Sequence, residues 1–307
     1  TADRAWHNPF GPDFPKVRTH FHLDRLGLWK ALTFAGHTPD LVTEDDVING
    51  KLAPATHLIL VGDCWNANLV PALEKWVQAG GTVLATANAG SRDAYGQPTD
   101  AFHKLAGLAS VESRTESAFL RPRMELPRLK ALGTLKGDGW TLPVLATRES
   151  ITPRKEEGVT ERIKGAMTER ALGKGKVIYL AAHPGIAYLH AGLQPPVAPD
   201  RGPVTHSIPT AWDANVVKLL EAFVNAPPIL KASPALIDAR LLRTPKGYLV
   251  PLASYTGKER DAVTLELMIK AKTARSAFAG DLKVETTKTG IRVTIPEVRY
   301  GDILRLE

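Results

Sequence analysis

The chain has 307 residues, 44% hydrophobic and 23% charged, a length and balance that suit a globular protein with two cores. A single cysteine, Cys64, excludes a disulfide framework and a cysteine-based zinc site. The formal charge of +7 is spread among acids, as in "RKEEGVTER", and not gathered into the stripe that a nucleic-acid binder needs. No apolar run approaches membrane-span length and no signal peptide is visible, so a soluble chain with no membrane partner is expected.

In chain order, no buried strand is read before Asp24, although a parallel α/β domain of this type normally opens with one. The chain is therefore expected to be cut from a larger protein. "DRLGLWKALTFAG" reads as the first helix, with Asp24 as N-cap, Leu28, Ala31, Leu32 and Ala35 on one face, and Gly36 as the stop. "DLV" is short and extended. "HLILVG" is a continuous apolar run, the mark of a strand covered on both faces. "LVPALEKWVQAGG" is a helix ended by Gly80–Gly81, "TVLATA" the next buried strand, and "KVIYLAA" a later one. This rhythm implies a parallel sheet with right-handed crossovers. Residues 109–174 read as an irregular insertion of hairpins and loops, and a last helix carries Val216, Leu220, Phe223 and Val224 inward.

The pattern changes after "NAPP". "AVTLELMIK" and "GIRVTI" alternate, with Val263, Leu265, Leu267 and Ile269 on one face and Ile291, Val293 and Ile295 on another. The reading is an α/β domain over 1–227 and a small antiparallel β-sandwich over 228–307.

The order of these features resembles the middle, trimerisation domain of family 42 β-galactosidases and the small β domain that follows it. "LVPALEKWVQAGGTVLATANAG" is similar to that family's "xxxLxxWVxxGGTxxxT", "GKGKVIYLAA" to its "GxGxxxYxG", and "YGDILRLE" to the end of its β domain. The resemblance implies a flavodoxin-like fold of the class I glutamine amidotransferase type. It also implies a role in assembly and substrate shaping rather than catalysis, because the family's two catalytic glutamates lie on an N-terminal TIM barrel. A homo-oligomer, such as a trimer, and that catalytic domain are the implied partners, with an oligosaccharide as a further one. No cofactor is expected.

The amidotransferase triad can be sought residue by residue. Its nucleophile turn, G-x-C-x-G, corresponds to "TANAG", which puts Asn88 at the cysteine position. An amide is no activated nucleophile. His183, in "AAHPG", keeps the base position, but Gly185 replaces the glutamate that would orient it. The triad reads as degenerate. Other candidates remain open. Cys64, with Asp63 and His183, is the set a stand-alone enzyme would use. Asp63, Trp65, His183 and Trp212 are the candidates for ligand or subunit contact, and Trp65 follows a strand end where open sheets bind ligands. Trp6 and Trp140 also read as loop tryptophans. His20 and His22, two apart as on one strand face, with Asp24 nearby, form a weak metal candidate. The proline-rich stretch between His190 and His206 reads as an arm or a lid. Three functions follow from these readings: an accessory and assembly region of a glycoside hydrolase, an independent hydrolase, and a carbohydrate-binding module.

Overall fold

The computed structural model of the chain describes residues 20–53, 55–116, 120, 125–193, 213–258 and 260–307. The expected strand-free start, Trp6, most of the proline-rich stretch and Trp212 lie outside the described residues.

The first helix, α1 (His20–Phe34), starts four residues before Asp24. Leu28, Ala31, Leu32 and Ala35 are buried, and Gly36, at φ +91, turns the chain out of the helix in a conformation that favours glycine. Helices α2 (Glu44–Ile48), α3 (Leu69–Gln78) and α4 (Ala101–Leu105) follow, and α5 (Pro184–Gly192) and α6 (Ala214–Val224) come after the sheet is complete. The strands of this half are β1 (His57–Leu60), β2 (Cys64–Trp65), β3 (Thr82–Ala85), β4 (Arg92–Asp93), β5 (Leu108–Thr115), β6 (Gly133–Gly137), β7 (Trp140–Val144), β8 (Thr147–Pro153), β9 (Val159–Ile163), β10 (Met167–Leu172) and β11 (Gly175–Leu180).

The main sheet has the order β1-β3-β11-β10-β9. Its first three strands are parallel and its last two antiparallel, so the sheet is mixed rather than wholly parallel. The insertion is also more regular than its sequence suggests. β5 pairs with β8, β6 with β7, and the β9–β10 hairpin extends the main sheet. One face of the sheet is covered by α1, α5 and α6 through Leu28, Ile186 and Leu220, the other by α3 through Leu73 and Val77. Each such fully buried aliphatic side chain contributes about 1.5–3 kcal/mol relative to leaving it in water.

The last quarter of the chain forms two antiparallel sheets. One runs Leu230–Ser233, Asp261–Leu267, Ile291–Val298, Val284–Thr286; the other contains Ile237–Ala239, Gly247–Ser254, Gly301–Leu306, Ala274–Ser276 and Gly280–Leu282. Val263, Leu265, Val293 and Ile295 of the first share one core with Val250, Leu304 and Leu306 of the second. Lys30 of α1 joins the two halves, 3.9 Å from Asp238 and stacked over the Tyr255 ring. No helix among the described residues is long and apolar enough to cross a membrane.

Candidate functional site

Parallel strands end together, and the ends of β3 and β11 are tied by the Ala87 N–H donating to the Ala182 carbonyl at 3.1 Å. Asn88 and His183 follow directly, one on each strand. The chain turns sharply after β3, an elbow in which Asn88 sits at φ +65 and Gly90 at φ +61. Asparagine tolerates this left-handed conformation better than most residues. A side chain at Gly90 would meet the Trp65 ring at 2.7 Å.

His183 is wholly buried. Its Nδ1 lies 3.2 Å from Asp24 Oδ2, also wholly buried. Facing the carboxylate, Nδ1 is placed to donate. Nε2 has no hydrogen-bond partner among the described residues. The other oxygen, Asp24 Oδ1, accepts from the N–H groups of Gly185 (2.7 Å) and Ile186 (3.3 Å). These are orphan donors of the first turn of α5, so Asp24 caps α5 from within α1.

Two expectations change here. Asp24 does not cap its own helix; it sits inside α1. The carboxylate partner of His183 is not lost with Gly185 but comes from Asp24. Gly185 has another task. A Cβ there would fall 1.8 Å from the Asp24 carbonyl oxygen, and one at Gly27 would fall 1.9 Å from the Gly185 carbonyl oxygen. The two glycines let α1 and α5 cross backbone to backbone.

The elbow is held from the insertion. Ser113 and Glu149 face each other across the β5–β8 ladder. Glu149 Oε1 accepts from Asn88 N (2.9 Å) and Asn88 Nδ2 (3.0 Å), Oε2 accepts from the Tyr179 hydroxyl (2.9 Å), and Asn88 Nδ2 also donates to Ser113 Oγ (2.7 Å). Burial lifts the Glu149 carboxyl above the ordinary glutamate range, against the hydrogen bonds from Tyr179 and Asn88 and the attraction of nearby His183. Burial, and then Glu149 itself, hold the Tyr179 hydroxyl well above its usual value. Neither Glu149 nor Tyr179 was among the residues singled out from sequence. The available signal was the alternation in "TRESITP", where Thr147, Glu149 and Ile151 are buried and Arg148, Ser150 and Thr152 exposed.

The remaining candidates are dispersed. His20 and His22 lie on helix α1, not on a strand: His20 is buried, 5.2 Å ring to ring from His183, whereas His22 is exposed, 3.3 Å from an Arg25 nitrogen. Among the described residues no group of three or more His, Cys, Asp and Glu side chains is placed to hold a metal. Asp63, Cys64 and Trp65 are all buried, with Cys64 and Trp65 paired to Arg92 and Asp93 across β2–β4. The Trp65 ring packs against Phe102 at 4.7 Å, and Trp65 is also among the residues lining the cleft described below. Trp140 is likewise buried, within β7.

A separate cleft of about 690 Å³ lies beside β1, between α1, α6 and residues 39–44. Its walls are mostly apolar, and His37, Glu44 and His57 are among its polar members.

No family model matches the sequence, and no curated protein matches it. Solved structures do. A family 42 β-galactosidase of G. stearothermophilus aligns with a TM-score of 0.58 at 12% identity, over 92% of this chain and 36% of its own. The β-galactosidase of Bacillus circulans sp. alkalophilus aligns at 0.58 and 13% identity, over 94% and 38%. An α-L-fucosidase isoenzyme of Paenibacillus thiaminolyticus aligns at 0.53 and 15% identity, over 92% and 44%. The likeness is one of fold: nearly all of this chain corresponds to a region that makes up little more than a third of those β-galactosidases.

Proposed function

We propose that this chain is a non-catalytic accessory and assembly region of a β-galactosidase-like glycoside hydrolase. In this reading residues 1–227 are an amidotransferase-like α/β domain, residues 228–307 a β-sandwich, and the hydrolytic centre belongs to another part of the parent protein. The observation that carries the reading is the state of the old triad position. His183 is wholly buried and bound to Asp24, and the elbow beside it presents an amide already engaged by Glu149. A base without access to solvent or to a nucleophile performs no turnover. The site instead joins α1, α5, the elbow and the insertion.

Assembly is supported by large side chains left in solvent, among them Tyr95, Phe278 and Tyr300, each more than 80% exposed. Such surface suits subunit contact. The implied partners are further copies of the chain and a catalytic domain, with oligosaccharide reaching the neighbouring active site. Light scattering tests this: the 307-residue chain is expected to show a mass above the 33.3 kDa monomer. A monomer at high concentration that hydrolyses a chromogenic β-galactoside would instead favour a stand-alone hydrolase.

A further inference from the structure

Among the described residues β5 pairs with β8 alone, so the ribbon they form has one edge without a partner. The Glu116 N–H donates to the Ala146 carbonyl just past the end of this ladder. By the alternation of an antiparallel ladder, Ser110, Glu112 and Arg114 then turn their N–H and C=O groups to β8, and Val111, Ser113 and Thr115 turn theirs outward. None of these three has a backbone partner among the described residues. Residues 112–116 are exposed without a break, Ser113 included, although its hydroxyl turns inward to Asn88. Charged lysines, prolines and bulges usually blunt such an edge. The register shift in β5 comes earlier, between Leu108 and Ser110, and residues 110–116 contain neither proline nor lysine.

The edge is also complementary to itself. When two copies of "VESRT" are laid antiparallel with Ser113 on the twofold axis, Ser113 meets Ser113 and Val111 meets Thr115. Every outward N–H then finds an outward C=O. Glu112 stands opposite Arg114 on both sides of the axis, in the closely spaced positions where cross-strand side chains interact most. Sliding the register to the next matching position sets Glu112 against Glu112 or Arg114 against Arg114. Arg114 is open to such a partner: its side chain is 83% exposed, with Glu116 of its own strand at 3.5 Å.

We propose that two copies of this chain join through β5, antiparallel about Ser113, into one continuous sheet of order β8-β5-β5-β8. The proposal rests on the assembly reading and names its contact. A contact of this symmetry joins copies in pairs, so the assembly holds an even number of chains.

Sedimentation and amide exchange of the 307-residue chain test it. An even copy number is expected, and the amides of Val111, Ser113 and Thr115 are expected to slow on the order of tenfold or more from dilute to concentrated protein. Glu112→Arg and Arg114→Glu each place like charges opposite one another on both sides of the axis. Each is expected to weaken association on the order of tenfold or more. Both side chains lie in solvent, so each variant is expected to keep the circular dichroism of the parent chain. Mixing the two variants restores opposite charges at both places and is expected to restore association, with one copy of each; a merely structural role for either residue gives no such recovery. An oligomer of unchanged mass in both variants, variants that stay apart on mixing, or three amides indifferent to concentration in an oligomer would each overturn the β5 contact and leave the assembly reading standing. A chain that is monomeric at every concentration would overturn both.

Discussion

His183 and Asp24, 159 positions apart in the chain, meet at 3.2 Å with neither side chain exposed. The pair forms a joint between α1 and α5. One carboxylate holds the imidazole with one oxygen and caps the neighbouring helix with the other. Replacing Asp24 by alanine strands His183 Nδ1 and two helix N–H groups in a dry interior. A loss of about 3–5 kcal/mol is expected, because the partners of a removed buried charge stay behind unpaired. Asp24→Asn retains one acceptor for α5 and should lose less. Urea denaturation of both variants checks the order; equal stability of Asp24→Ala and the parent chain would refute the joint.

Gly185 is where a family comparison of sequences misleads. A glutamate there looks like the missing member of a triad, yet the space is filled by the Asp24 backbone. Gly185→Ala is expected to cost about 3 kcal/mol through forced separation of α1 and α5, and Gly27→Ala a similar amount. Gly185→Glu is expected to unfold the α/β half and to bring no activity. Circular dichroism melts of the three variants measure this.

Glu149 makes stability depend on pH. Its folded pKa lies above the unfolded value near 4.5 because burial disfavours the charge. The unfolded chain therefore releases this proton first as pH rises. Between the two pKa values the native state binds more protons, and stability falls with rising pH. Below the unfolded value the group contributes nothing to the slope. Glu149→Gln keeps acceptors for Asn88 and removes the charge, so the fall across that window is expected to flatten. At neutral pH the variant is expected to match or exceed the parent chain by about 1 kcal/mol. Denaturation midpoints measured from about pH 4 to 8 would show it.

Much of the fold was legible because it is written in local periodicity. The α1 face of Leu28, Ala31 and Leu32, the apolar runs of β1, β3 and β11, and the alternation around Val263 and Val293 each appear within a few residues. The site was legible only in outline. Asn88 and His183 could be placed at the ends of neighbouring strands, but Asp24 is joined to them only by the crossing of α1 and α5. The pair in "THFHLD" was misread because period alone decides its meaning. Residues two apart share a side on a strand but stand about 200° apart on a helix, so His20 is buried and His22 exposed. Glu149 was hidden in a segment read as irregular, where β5 and β8 must pair across 32 residues before its inward face has significance.

The central claim is that His183 holds the structure together and catalyses nothing in this chain. His183→Ala, compared with the parent chain for both urea midpoint and turnover of a panel of chromogenic glycosides, tests it most directly. The expected result is a midpoint lowered by about 2–4 kcal/mol of stability, from the cavity and the unpaired Asp24, with no turnover in either protein. Turnover by the parent chain that disappears in a variant of unchanged stability would contradict the claim.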